Sequence, residues 1–240
     1  MDSISGDDSN NGKKIRNVLI DHVLCFKSIS RGAVEISDGT DFITARNIYA
    51  EDAVYGVDIQ DHKSANQQNT NVTVIGALIR RCKYGVVTRN NDFNHTRLTL
   101  SDIIIEDCIE PIKISNTSHV IIGDIQVIDN KSNKPAVQFK NCKYVHADKF
   151  HISSSTGLGI IMQVTNTDFF HFSNSFIDNS RSEAKQNILI EYKDEKHYKS
   201  LVMRDIIFTN KHDSIPVNTN LPDQLDDCTI ENTNAKVFKK

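Results

Sequence analysis

Short segments of alternating apolar and polar residues recur along the chain, and each closes on Asp or Asn. In order they are VEISD ending at Asp38, VDIQD at Asp61, VVTRN at Asn90, IKISN at Asn116, VQFKN at Asn141 and MQVTN at Asn166. Their final residues lie 23, 29, 26, 25 and 25 positions apart. A period of two is the signature of a strand with one face buried. It turns Val34 and Ile36, Val57 and Ile59, Val86 and Thr88, Ile112 and Ile114, Val137 and Phe139, and Met162 and Val164 inward. The closing Asp or Asn bonds its own backbone and tolerates left-handed geometry, so it ends the strand.

Two further strands complete each repeat. FITA, VTVI, LTLS, VIIG, VHA and FHF follow the closing residue; NIYAED, ALIRRC, IIIEDC, IQVIDN, FHISSS and SFIDNS come next. Between them an Asp or Asn recurs at Asp21, Asp102, Asp124, Asp148, Asn174 and Asp205, where it reads as a turn-former. Three strands and three turns per coil of about 25 residues, with no helical period between them, predict an all-β, single-stranded, right-handed parallel β-helix with three parallel sheets. The leucine-rich alternative needs an L-x-x-L-x-L pattern that is absent. The whole chain, 1–240, reads as one domain. Residues 1–14 read as an incomplete first coil and 211–240 as an irregular loop with a terminal strand or cap, which suggests a piece of a longer solenoid.

Composition narrows the classes. Acidic residues number 31 against 28 basic ones, with no basic cluster of the kind nucleic acid rewards. No apolar run reaches the roughly 18 residues of a membrane span. Neither nucleic acid nor membrane is therefore expected as a partner, and no leader is visible in MDSISGDDSNNGKK. Cys25, Cys82, Cys108, Cys142 and Cys228 show no metal or redox spacing and read as buried free thiols.

In a solenoid the structural positions repeat, so a functional residue should break its column. The string NVLIDH at Asn17–His22 invites comparison with pectate lyases, but Asp21 belongs to the turn column. One outward column of the first strand runs Glu35, Asp58, Val87, Lys113, Gln138, Gln163, and only its first two members are carboxylates. The next runs Ser37, Gln60, Arg89, Ser115, Lys140, Thr165, which sets Arg89 one coil from Asp58. Asp38 and Asp61 close strands where later coils carry Asn, and Asp7 and Asp8 extend the acidic run. The long inserts HKSANQQNTN and NDFNHTR flank the same place, and inserts commonly build the binding face of a repeat protein. Two carboxylates about 5 Å apart repel, which should raise one pKa and set a proton donor beside a base. A solvated acidic face balanced by Arg89, and a calcium site of Glu35, Asp58 and Asp61, are the other readings of the same residues.

Gly32–Asn90 resembles the pectin-lyase-like β-helix domain of phage tail and preneck appendage proteins. Glu35–Ile36–Ser37–Asp38–Gly39 matches a family string G-x-E-I-D-D-G-S, and Gly56–Val57–Asp58–Ile59–Gln60–Asp61–His62 resembles the G-x-E-I-K-A-H of the following coil. Arg89 falls at the family's basic position, and Asp2–Ser3–Ile4–Ser5 corresponds in part to its G-D-D-G-I-T strand. Ser37, Asp58 and Gln60–Asp61 depart from the pattern. The resemblance implies action on a bacterial surface polymer such as a teichoic acid or capsule, an extracellular or virion-associated location, and often a homotrimer. Glu35 and Asp58 would then be the catalytic pair, with Asp38, Asp61, His62 and Arg89 on the substrate. No cofactor is required, though calcium is open. Three readings follow: a glycan hydrolase, a non-catalytic glycan-binding adhesin, and a calcium-dependent lyase with Arg89 as base.

Overall fold

The computed structural model describes residues 2–5, 15–61, 68–89, 95–130, 132–154, 160–181, 184–193, 200–210, 215–220, 228–231, 233–234 and 237–239. Among them every strand pairs in parallel with the strand one coil away, and the chain forms a right-handed parallel β-helix. Val34, Val57, Val86, Ile112, Val137 and Met162 are successive register partners in one inward ladder. All six are 0% exposed. The alternation read from the sequence thus fixes which side of the wall each residue takes.

The three expected sheets are three faces carried by two hydrogen-bonded sheets, one of ten strands and one of nine. The first face holds short strands such as Val34–Ser37 and Tyr55–Gln60. The second and third faces are the two limbs of one long strand, as in Thr40–Glu51, bent at Asn47 with φ 55°. A single left-handed residue turns the corner without interrupting the ladder, so pairing runs on from Ala45↔Val74 to Ile48↔Ala77. The corner repeats at His22, Gly76, Asp102, Asp124, Lys149, Asn174 and Asp205. Asp21 and Asp148, expected as turn-formers, precede the corner by one residue; His22 and Lys149 take the left-handed conformation itself. The ladder imposes the geometry there, and short-range preference for Asp or Asn is overridden.

One apolar cluster fills the interior from Ile20 to Val217. Small residues line the early coils (Ala45, Ala50, Val74), whereas Phe139, Phe150, Phe170 and Phe172 pack the later ones, with Phe139 and Phe170 at 5.5 Å. Cys25, Cys82, Cys108 and Cys142 are buried free thiols, as the repeat implied, and the Cys82 amide donates to Cys108 Sγ at 3.4 Å. The side chain of Cys228 lies outside the described residues. Ile215–Thr219, read from sequence as loop, is a strand in register with Gln186–Glu191. Pro216 concealed it, because Pro is scarce inside sheets. It precedes inward Val217 as Pro111 precedes inward Ile112, a position where this ladder tolerates the ring.

Candidate functional site

Glu35 and Asp58 are direct register partners on the first face, on neighbouring coils. Both point away from the apolar ladder, yet neither reaches water: Glu35 is 5% exposed and Asp58 0%. The neighbouring outward residues Ser37, Gln60 and Val87 are buried too, while Lys113, Gln138 and Gln163 of later coils are partly exposed. The expected solvated acidic face is therefore, in these coils, a buried polar layer. Such a layer survives only if its charges are paired.

The pairing comes from both sides. Arg31 Nη1 lies 2.6 Å from Glu35 Oε2, and the Tyr55 hydroxyl donates to the same oxygen at 2.6 Å. Arg89 Nη2 lies 2.6 Å from Asp58 Oδ2. Its guanidinium sits over two rings, 5.7 Å from the Tyr55 centroid and 5.2 Å from that of Tyr84. Planar stacking with simultaneous carboxylate contact is what Arg supplies and Lys cannot. Burial pushes the Glu35 carboxyl up, but hydrogen bonds from Tyr55 and Gln60 and the Arg31 charge outweigh it, and its pKa lies below the usual value. Burial, with the bond to Glu35, pushes the Tyr55 phenol up to about 12. The rise expected from like-charge repulsion does not occur at Glu35, because the charge it meets first is Arg31.

The two tyrosines are placed by a repeated string, Tyr55–Gly56–Val57 and Tyr84–Gly85–Val86, whose members pair in register. The glycines are required by close approach. A Cβ at Gly56 would meet the Ile79 side chain at 2.4 Å and the Gly85 carbonyl at 2.8 Å; one at Gly85 would meet the Pro111 carbonyl at 2.3 Å.

Asp38 and Asp61 close the first-face strands beside the pair and are buried at 5% and 4%; Asp38 takes φ 59°. His62 and most of both inserts lie outside the described residues, as do Asp7, Asp8 and Asn90. The described end of the first insert is tied down at Asn69, which is 0% exposed. Its Oδ1 accepts from the Thr40 amide and hydroxyl at 3.0 and 2.9 Å, and its Nδ2 donates to the Gln60 carbonyl at 2.8 Å. The Asn69 amide donates to Nδ1 of buried His95 at 3.3 Å. Burial holds the His95 pKa down to about 4, against the pull of the Arg89 and Ile59 carbonyls.

Calcium does not fit this arrangement as it stands. The oxygens that would ligate it at Glu35 and Asp58 already face Arg31, Tyr55 and Arg89. Among the described residues no three His, Cys, Asp or Glu side chains stand together as ligands. Asp21 is a different case. It accepts from Arg46 Nε and Nη2 at 2.9 and 2.6 Å and from Asn47 at 2.8 Å, which hold its pKa down to about 2. This ion pair crosses adjacent coils at an exposed corner, away from Glu35 and Asp58.

Arg31, Tyr55, Tyr84, Asn69 and His95 were not singled out from sequence. The Tyr-Gly-Val repeat was the available signal for the tyrosines. Arg31 had none, since it lies in the turn before the strand and outside any column.

No family model matches the chain, and no curated protein matches it in sequence. Among solved structures, the A-module of mannuronan C-5 epimerase AlgE4 from Azotobacter vinelandii is similar, with a TM-score of 0.37 and 12% identity over 98% of this chain and 86% of that one. The fold assignment rests on the ladder register of the chain itself.

Proposed function

We propose that the chain binds and cleaves an acidic or phosphate-bearing bacterial surface polysaccharide on its first face, with Glu35 and Asp58 as the catalytic pair. One observation carries it: two carboxylates stacked on adjacent coils, each with its own arginine, at the place where the repeat's outward columns change character. Glu35, held ionised, is the base or nucleophile. An anionic group on the substrate would draw Arg89 from Asp58. A fully buried carboxylate that loses that guanidinium is driven to take up a proton, because burial disfavours the charged form. Substrate charge would thus arm Asp58 as the acid of a glycosidic cleavage. His62, with Asp38 and Asp61, would line the same substrate. The resemblance to phage appendage domains supports this reading and adds a homotrimer in an extracellular or virion setting.

The burial of Asp58 favours a second reading, a glycan-binding module that does not cut. Incubation with a panel of wall polymers, followed by product separation, decides between them. New reducing ends or released glycerol phosphate, lost in Glu35→Gln and Asp58→Asn, support cleavage by the pair. Unsaturated sugars would point to a lyase using Arg89. A polymer that is retained and recovered intact would leave the binding module.

A further inference from the structure

The left-handed residue that opens the second face is more often a large side chain than at the other corners. Its column, in register from coil to coil, reads Asn17, Phe42, Asn71, Arg97, His119, Tyr144, Phe169, all at φ between 52° and 57°. The other corners hold mostly Asp, Asn or Gly. Bulky residues in this conformation are outliers that persist where the fold over-determines them, and they concentrate at functional surfaces.

Here they build a surface. Phe42, Asn71, Arg97 and His119 line an open trough of about 500 Å³ that crosses four coils. Thr73 and Thr99, register partners on its floor, offer hydroxyls at one-coil spacing. Phe42 and Ile121 are its apolar walls, 57% and 55% exposed. Beyond it the His119, Tyr144 and Phe169 rings stack at 4.9 and 4.6 Å, with Lys143 Nζ over Tyr144 at 5.2 Å. Among the described residues no carboxylate lines the trough. Arg16, Arg31, Arg46, Arg80, Arg81 and Arg89 each sit on a carboxylate, whereas Arg97, at the trough's centre, has no ion-pair partner among the described residues. A free planar fork of donors amid hydroxyls and exposed apolar walls fits a sugar that carries an anion. Coils about 4.8 Å apart match roughly one hexose each.

We propose that this trough is a second glycan site, separate from the carboxylate pair, that takes an acidic saccharide chain lying along the solenoid axis with an anionic group on Arg97. It holds whether or not the first face cuts.

The test is calorimetric titration of the full chain with three probes: a galacturonate tetramer, an oligomer of glycerol phosphate, and cellotetraose as the neutral control. One or both acidic probes should bind and the neutral one should not; which of them binds separates carboxylate from phosphate. Arg97→Asn should weaken that binding about tenfold or more without lowering the melting temperature, since Asn suits the left-handed corner. Arg89→Gln should leave the Arg97-dependent part of that binding in place. The proposal is overturned if no acidic probe binds, if cellotetraose binds as well, or if Arg97→Asn binds like the wild type. Loss in Arg89→Gln but not in Arg97→Asn would assign the ligand to the first face instead.

Discussion

The first face offers its own control, because the same columns run through early and late coils on one backbone. In the late coils the strand-closing residues are Asn116, Asn141 and Asn166, whose amides bond one another at 2.9 and 3.4 Å. The corner position that follows is Thr117, Cys142 or Thr167, each bonding the carbonyl two residues before it at 2.8, 3.5 and 3.1 Å. In the early coils Asp38 and Asp61 replace the amides, and buried His95 replaces its register partner Thr117. In the late coils these closing and corner side chains bond within their own repeated columns. The early coils depend on groups brought from elsewhere: Arg31, Tyr55, Arg89 and Asn69. Self-sufficient repeats serve the fold, and repeats that need outside partners are where a solenoid departs from structure alone.

The largest contrast should appear in turnover. Glu35→Gln or Asp58→Asn should cost about 100- to 10,000-fold in cleavage, whereas Gln138→Ala and Gln163→Ala, in the same column, should leave the rate unchanged. Equal rates in all four would erase the distinction.

Acid should find the early coils next. His95 is neutral when folded, with a pKa near 4 against an ordinary 6.5, so between those values the unfolded chain binds more protons. Stability is then full above about pH 6.5 and falls as pH drops toward 4, by on the order of 3 kcal/mol. Glu35, also depressed, adds loss in the same direction as it protonates. Denaturant melts across pH 7 to 4 should show this slope, and His95→Gln should flatten much of it. A late-coil change such as Thr117→Val should shift the curve without changing its slope.

Arginine removal sharpens the same point at smaller scale. Arg89→Ala takes the guanidinium from a buried carboxylate and should destabilise by about 2 kcal/mol, besides weakening substrate binding. Lys113→Ala should cost about 0.5 kcal/mol or less, because Lys113 and Glu110 pair at 2.8 Å with the lysine more than a third exposed. Smallest of all, Asp124→Asn should leave both melting temperature and activity in place. Asp124→Ala should cost about 1 kcal/mol, since Asp124 holds φ 55° at a corner.

The wall of the solenoid was legible because burial enforces strict alternation, and a one-residue slip would turn Val57 and Val86 outward. Corners were less legible. The ladder puts whatever residue arrives there into left-handed geometry, so His22 and Lys149 took positions that local preference assigned to Asp21 and Asp148. The adjacency of Glu35 and Asp58, and Arg89 beside them, followed from coil spacing alone. Their burial did not, because column logic knows inward from outward but not what covers the outward side. Arg31 reaches Glu35 from a turn, where no repeat marks it.

The matched arginines have a kinetic consequence. Glu35 and Asp58 each cancel a guanidinium within 2.6 Å, so the pair projects little net field into solvent. A polymer arriving there would be caught by shape and hydrogen bonds, at an encounter rate nearly indifferent to salt. Arg97, without an ion-pair partner among the described residues, would attract acidic chains from a distance, over a range that shrinks to about 8 Å at physiological ionic strength. Capture along the second face would then slow as salt rises, while the first face kept its pace.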